Sequence, residues 1–282
     1  MTQSNHPASA PKAWLNTQAR HGVQRLLENR LLNRSVEKVF KNSPDARDWI
    51  YRQKWKIRLA LGERLVPEEA LSHKYRDALL WLADEESRQA IGDYLEFGVF
   101  NGTSLACMHR VLRELGFSQV RLFGFDSFEG LPASAAMDGW RPGSYKMDYE
   151  YTHKWLSRRK VDWGRVLLIK GWFHDTLNQS CIDRHNIKKA SVIMMDCDAY
   201  SSAKEALEFC APLIHERCVI LFDDWNSKGR AERNIGEKQA LDEFLAVHPE
   251  FSVMDFGSYA ANSQVFKLYR RAHPSSEFGS TW

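Results

Sequence analysis

Two short apolar runs in this 282-residue sequence end in carboxylates. Met195-Asp196-Cys197-Asp198 closes one, and Phe222-Asp223-Asp224-Trp225 closes the other. Neighbouring strands lie about 4.8 Å apart, so on adjacent strands Asp196, Asp223 and Asp224 would converge at one sheet edge. Three uncompensated carboxylates repel one another and are driven to take up protons. A hard divalent cation removes that cost, and Mg²⁺ takes a few carboxylates together with waters or substrate oxygens. One strand-end aspartate is commonly just a helix cap, but a set of three points to a metal centre, with Asp198 leaving the ligand set open by one residue.

A second group of residues has the chemistry of a cofactor site. The stretch Glu96-Phe97-Gly98-Val99-Phe100-Asn101-Gly102-Thr103-Ser104 lies where a strand gives way to a helix, the place at which doubly wound folds bind nucleotides. Gly98 permits a sharp turn, Gly102 permits close approach to the helix start, and Thr103 and Ser104 are cap candidates. A carboxylate in place of the first Gly of GxGxxG disfavours a dinucleotide pyrophosphate and suits a cationic ligand such as a sulfonium amino acid. Asp126, in Gly124-Phe125-Asp126-Ser127-Phe128-Glu129-Gly130, ends a second strand, where an acid can accept from both ribose hydroxyls. Trp172 and Phe173, in Gly171-Trp172-Phe173-His174-Asp175, could wall an adenine ring, although aromatics at a strand end are more often core. His174 beside Asp175 invites a general-base reading, but such neighbours are frequent by chance. Phe100, Thr103, Ser104 and Ser127 complete the expected cofactor-binding set. The aromatic stretch from Pro132 to Tyr151 is expected to form a lid over the site, since long loops tend to be functional or disordered.

The elements that must position these residues follow from periodicity. Asp93–Phe97, Arg121–Asp126, Val166–Lys170, Val192–Asp196 and Cys218–Asp223 read as short buried strands, with helices such as Thr103–Leu115 and Ser202–Leu213 between them. That alternation means an α/β fold with a mostly parallel sheet of right-handed crossovers. After a helix over Gly236–His248, Phe251–Phe256 and Gln264–Arg270 follow one another as an antiparallel hairpin. Ahead of the sheet, residues 12–90 read as a helical extension. Breaks fall at Asn42-Ser43-Pro44-Asp45, with Ser43 or Asp45 as cap, and at Pro67-Glu68-Glu69. Residues 1–11 and 273–282 read as tails around a 91–272 catalytic domain.

Composition narrows the function classes. Apolar residues make up 44% and charged residues 27%, the balance of a globular protein. The net charge of +3 does not argue for nucleic acid. Thirteen Lys/Arg against five Asp/Glu between Lys12 and Arg64 concentrate the positive charge in the helical extension. We expect these helices to support a homo-oligomer, with a solvated face or a cap over the acceptor as the other readings. Met1–Lys12 is polar with no apolar run after it, and no run approaches the roughly 20 residues of a membrane span. The five cysteines lack CxxC spacing and sit in apolar contexts, so buried reduced thiols and a cytoplasmic location are expected.

Taken together, EFGVFNGTS, GFDSFEGLP, the segment from Gly143 to GWFHDTL, MDCDAYSSAKEAL and FDDW resemble, in order, the macrocin O-methyltransferase family. The resemblance runs from about residue 93 to 245. It implies a class I methyltransferase fold and S-adenosylmethionine held by Glu96, Gly98, Asp126 and Ser127, with the Gly171-to-Phe173 turn by the adenine. It also implies Mg²⁺ or another divalent cation on Asp196, Asp223 and Asp224. The expected reaction is methyl transfer to a hydroxyl of a small molecule, a sugar or glycosylated natural product, with Asp196 accepting the proton. A catechol-like acceptor is the alternative. The basic segment Asn226–Glu237 departs from the macrolide-enzyme pattern, so sugar specificity does not carry over. A nucleotide-binding oxidoreductase would want GxGxxG and no acidic strand ends beyond the first, and a non-catalytic scaffold would have no need of the metal aspartates.

Overall fold

The computed structural model describes residues 43–271, together with Ser35 and Lys38. The chain divides into two compact units, Met1–Leu65 and Val66–Trp282. Both expected tails, and the first expected helix apart from Ser35 and Lys38, lie outside the described residues.

In the first unit, α1 spans Pro44–Ala60. Proline opens it at the position where a missing N–H costs nothing, and Asp45 lies in the first turn, favourable to the helix dipole. The expected side-chain cap is not formed: Ser43 is the N-cap residue but makes no side-chain cap hydrogen bond. Arg58 closes the other end by donating from Nε to Glu63 at 2.6 Å.

The second unit is built on a seven-stranded sheet. In chain order its elements are α2 (Glu68–Glu85), β1 (Asp93–Phe97), α3 (Thr103–Leu115), β2 (Leu122–Asp126), α4 (Tyr149–Arg158), β3 (Val166–Lys170), α5 (Phe173–Thr176), α6 (Gln179–His185), β4 (Ala190–Met195), α7 (Tyr200–Cys210), β5 (Arg217–Phe222), α8 (Glu237–Val247), β6 (Phe251–Asp255) and β7 (Gln264–Arg270). The spatial order is β3-β2-β1-β4-β5-β7-β6. The first five of these are parallel, and β7 pairs antiparallel with both β5 and β6. The expected parallel sheet with a terminal hairpin is therefore present, each strand within two residues of its expected bounds.

Strand alternation divides the core into two layers. Tyr94, Leu122, Val192, Met194, Val219 and Leu221 join α2 and α3 in one cluster. Leu95, Phe97, Phe123, Phe125, Ile193, Met195, Ile220 and Phe222 join α7 and α8 in the other. Glu96 shares the face of Tyr94, so one carboxylate is folded into an otherwise apolar layer. All five cysteines are buried and unbridged, as their contexts implied.

The Pro132–Tyr151 segment is not a structureless loop. It contains a 3₁₀ run at Ala133–Asp138, and its Trp140 and Tyr145 pack on a small core of Leu131, Ala135 and Ala199.

Candidate active site

The sheet register brings the expected residues to one edge. Phe97, Met195 and Phe222 lie side by side across β1, β4 and β5. The next residues continue the ladder: Asp196 N–H donates to Phe97 O at 2.9 Å, and Asp223 N–H donates to Met195 O at 3.0 Å. Asp196, Asp223 and Asp224 thus emerge together, with one carboxylate oxygen from each lying within 4.8 Å of the others. All three are half-buried. An all-oxygen donor set of this spacing fits a hard divalent cation.

The electrostatics fit a cation as well. Burial, then the charges of Asp223 and Asp224, push the Asp196 carboxyl well above the usual carboxylate range. Burial and the Asp224 charge raise Asp223 to about 6, against the lowering effect of its hydrogen bond from Tyr259. The set is costly as bare anions and relieved by positive charge.

The cofactor turn touches this cluster. Gly98 has φ +93°, and a Cβ there would lie 1.8 Å from the Asp196 carbonyl oxygen. Only glycine lets the turn after β1 pass so close to the loop after β4. Gly102, at φ +82°, starts α3 as its N-cap, and a Cβ on it would reach within 2.8 Å of Leu156. The expectation that Thr103 and Ser104 cap this helix is therefore corrected. The chain enters α3 through a left-handed glycine, which leaves both residues inside the first turn, and the Asn101 side chain accepts from Thr103 N and Oγ1 instead.

Glu96 and Asp126 are more committed to the protein than their types suggested. Glu96 is fully buried. It accepts from the Tyr94 hydroxyl at 2.6 Å and the Ser104 hydroxyl at 2.7 Å, while Tyr94 in turn meets Tyr75 of α2 at 2.8 Å. Burial raises its carboxyl to about 8, although both hydroxyls oppose the shift. Asp126 Oδ2 accepts the backbone N–H groups of Val99 and Phe100, each at 2.8 Å, and Oδ1 accepts that of Phe128. A carboxylate offers about four acceptor positions. In this arrangement one is left, so Asp126 holds the Gly98 turn against β2 and keeps one free acceptor position. Ser127 Oγ donates to Gly130 O and accepts from Glu129 N.

Gly171 follows β3 beside this turn, its N–H donating to Asp126 O at 3.0 Å. Phe173 packs edge-on against Phe97, at 5.8 Å between centroids, so that ring serves the core; Trp172 is half-buried. His174 and Asp175 are about two-thirds exposed and do not join the carboxylate group.

Further residues reach the site, and of these sequence reasoning missed Tyr259, Ser227, Glu237 and Arg230, while the sequence itself singles out Asp198 and the Trp140 segment. Tyr259, from the β6–β7 turn, donates its hydroxyl to Asp223 Oδ1. Ser227 Oγ donates to Asp224 Oδ1 at 2.6 Å. Glu237 opens α8, fully buried, and feels the charges of Asp224 and Asp223. Asp198 is buried, with φ +61°, and shares a hydrogen bond with Asp224. Trp140 Nε1 donates to Asp198 O at 2.9 Å, which ties the expected lid to the loop after β4. The guanidinium of Arg230 lies 4.1 Å from the Trp140 ring centroid. The only local hint was the acid following Gly236, which reads equally well as a helix-dipole partner.

Comparison with known proteins bears on the fold and the family. The chain is 32% identical over 143 residues to an 8-demethyl-8-(2,3-dimethoxy-alpha-L-rhamnosyl)-tetracenomycin-C 4'-O-methyltransferase of Streptomyces olivaceus, a match covering 48% of this chain and 53% of that protein. It is 28% identical over 175 residues to the demethyldecarbamoylnovobiocin O-methyltransferase of Streptomyces niveus, covering 58% and 61%. The chain thus spans between half and two thirds of the length of these relatives. Among solved structures, the O-methyltransferase NovP superposes with a TM-score of 0.56 at 20% identity, over 72% of this chain and 80% of that one. The calicheamicin methyltransferase CalS11 has the same score at 17% identity, over 95% and 98%. These likenesses establish a class I methyltransferase fold. The Macrocin-O-methyltransferase (TylF) family matches residues 74–246; since that match takes in more than half of the chain and the ends of β1 to β5, the protein belongs to the macrocin O-methyltransferase family.

Proposed function

We propose that the protein transfers a methyl group from S-adenosylmethionine to a hydroxyl of a small molecule, a sugar or a glycosylated natural product, with a divalent cation held by Asp196, Asp223 and Asp224. The observation that carries the reading is the direct contact between the cofactor turn and the carboxylate loop. Gly98 lies against the Asp196 carbonyl where any Cβ would clash, so a donor on that turn and an acceptor on the three carboxylates would be neighbours. The names of the two curated relatives support an acceptor of the glycosylated or natural-product class.

When bound, S-adenosylmethionine supplies a methyl group on a good leaving group, and a divalent cation supplies Lewis acidity that lowers a hydroxyl pKa. The residues of the chain do the rest. The Gly98 and Gly102 turn, held by Asp126, gives backbone access for the donor. The three aspartates fix the acceptor oxygen beside it, and orientation of this kind is a large part of what such a site contributes. As the O–C bond forms and the S–C bond breaks, the hydroxyl proton passes to a carboxylate, assigned here to Asp196. Asp198 is the second candidate, because it is buried beside Asp224 yet outside the group of three. The bond from Trp140 to the Asp198 carbonyl supports a reading in which the Pro132–Tyr151 segment excludes water from the acceptor.

Asp196→Asn and Asp223→Asn are expected to lower turnover at least a hundredfold, while S-adenosylhomocysteine still raises the melting temperature. Full activity in excess EDTA would remove the cation from this reading. A methyl-transfer screen of glycosides against catechols separates the two acceptor classes.

A further inference from the structure

Glu237 is a buried acid beside the three aspartates, and no side chain pairs with it. Its side chain is 1% exposed, and neither Oε1 nor Oε2 has a hydrogen-bond partner among the described residues. An isolated buried carboxylate is strongly disfavoured unless something pairs with it. After burial, the charges of Asp224 and Asp223 act on it most strongly and both disfavour its ionised form, which the Asp224 backbone N–H and the charge of Arg230 offset only in part. Arg230 is the neighbouring cation, also 1% exposed, but its guanidinium is turned elsewhere: Nη1 donates to Ser227 O at 2.8 Å and Nη2 to Asp138 O at 2.7 Å. Arg230 Nε is left without a partner, as is Asn226 Oδ1.

The chain path shows that this placement is built. Ser227 bonds the Asp224 carboxylate and offers its carbonyl to Arg230. Arg230 Cδ lies 3.2 Å from where a Cβ on Gly236 would be, and Gly236 leads directly into Glu237 at the start of α8. The segment between β5 and α8 thus loops back to set a carboxylate behind Asp224. Glu237 is not among the three residues whose oxygens lie within 4.8 Å of one another, so it sits beside that group and not within it.

We infer that Glu237 is a further carboxylate of the cation centre, a positioning residue that would accept hydrogen bonds from water on the cation. This rests on the cation reading above. Mg²⁺ and Mn²⁺ keep several waters when only a few carboxylates bind them. Groups that hold the surroundings of a metal typically change its affinity 10–100-fold when removed.

The test is Mn²⁺ titration of the cofactor-free protein by calorimetry or electron paramagnetic resonance, together with the melting temperature without metal. In Glu237→Gln the Mn²⁺ dissociation constant should rise about 10–100-fold, while the metal-free melting temperature stays level or rises because a buried acid among acids has gone. Glu232→Gln, an exposed change in the same segment, should alter neither. Glu237→Met, of similar volume, serves with the same expectations if the amide variant does not fold. An unchanged dissociation constant would overturn the inference. So would a metal-free melting temperature that falls along with the affinity, since that would make Glu237 only the structural partner of Arg230. If the wild-type protein itself bound no Mn²⁺, the cation reading would fail and this inference with it; wild-type binding matched by Glu237→Gln sinks the inference alone.

Discussion

Glu96 and Glu237 are both sealed from solvent, and they are held by opposite means. Glu96 has hydroxyl donors on both oxygens; Glu237 has none. For Glu96 the consequence is a pH dependence with a definite sign. Burial raises its carboxyl from the ordinary value of 4.5 to about 8, so between those values the folded state binds the proton more tightly than the unfolded chain. Stability from this group is therefore highest at the acid end of the window and is lost as the pH rises from about 4.5 to about 8. In Glu96→Gln that slope should be missing: the gap between wild type and variant, followed by urea denaturation at pH 5 and pH 8, should shift in favour of the variant at the higher pH. A gap that does not change with pH would show that Glu96 is ionised throughout. Both glutamates could be seen in the sequence as acids at the edges of elements. Whether each would be satisfied could not, because Ser104 reaches Glu96, and Tyr75 reaches its partner Tyr94, only through helix packing on the sheet.

At the scale of elements, the decisive contact is between two turns, not between two side chains. The turn after β1 crosses the loop after β4 at Gly98, where the backbone is left-handed and a Cβ would fall 1.8 Å from the Asp196 carbonyl. Gly116, at the end of α3, is also left-handed (φ +76°), but nothing lies within 4 Å of its would-be Cβ. The two glycines separate backbone strain from collision. Gly116→Ala should cost about 1–2 kcal/mol, the ordinary penalty of the left-handed region. Gly98→Ala should cost about 3 kcal/mol or more, and the stabilisation by S-adenosylhomocysteine should disappear with it. Equal losses in chemical denaturation would mean that the turn and the loop separate without cost. The lengths and types of these elements were legible because buried strands read as short apolar runs and amphipathic helices repeat at 3.6 residues. The entry into α3 was misread for a local reason. Thr103 and Ser104 are good capping types, but Gly102 turns the chain one residue earlier and Asn101 accepts the bond.

The second unit, Val66–Trp282, contains both core clusters and every residue assigned to the cation and cofactor sites. A chain beginning at Val66 should therefore unfold cooperatively and keep its response to S-adenosylhomocysteine, read as a shift in melting temperature. The expected role of the extension in a homo-oligomer would appear as a fall in solution mass on the same truncation. Loss of cooperative unfolding would show instead that the first unit is needed for the fold. No described helix is long and apolar enough to cross a membrane.

The sequence by itself determined the parts whose cause is local. These are the glycines that allow the turn after β1, the acids that end the strands, the alternation that makes a parallel sheet, and the final hairpin. Its ordered motifs also carried the family. Strand order was decided only by the tertiary structure, because hydrophobic runs do not encode their neighbours. The placement of β4 beside both β1 and β5 is what turns two acidic strand ends into one group of three carboxylates. The same holds for Tyr259, Trp140 and Glu237, which come to the site from segments far apart in sequence. Their roles follow from burial and from the partners that folding provides or withholds, and neither is a property of the residue or its neighbours along the chain.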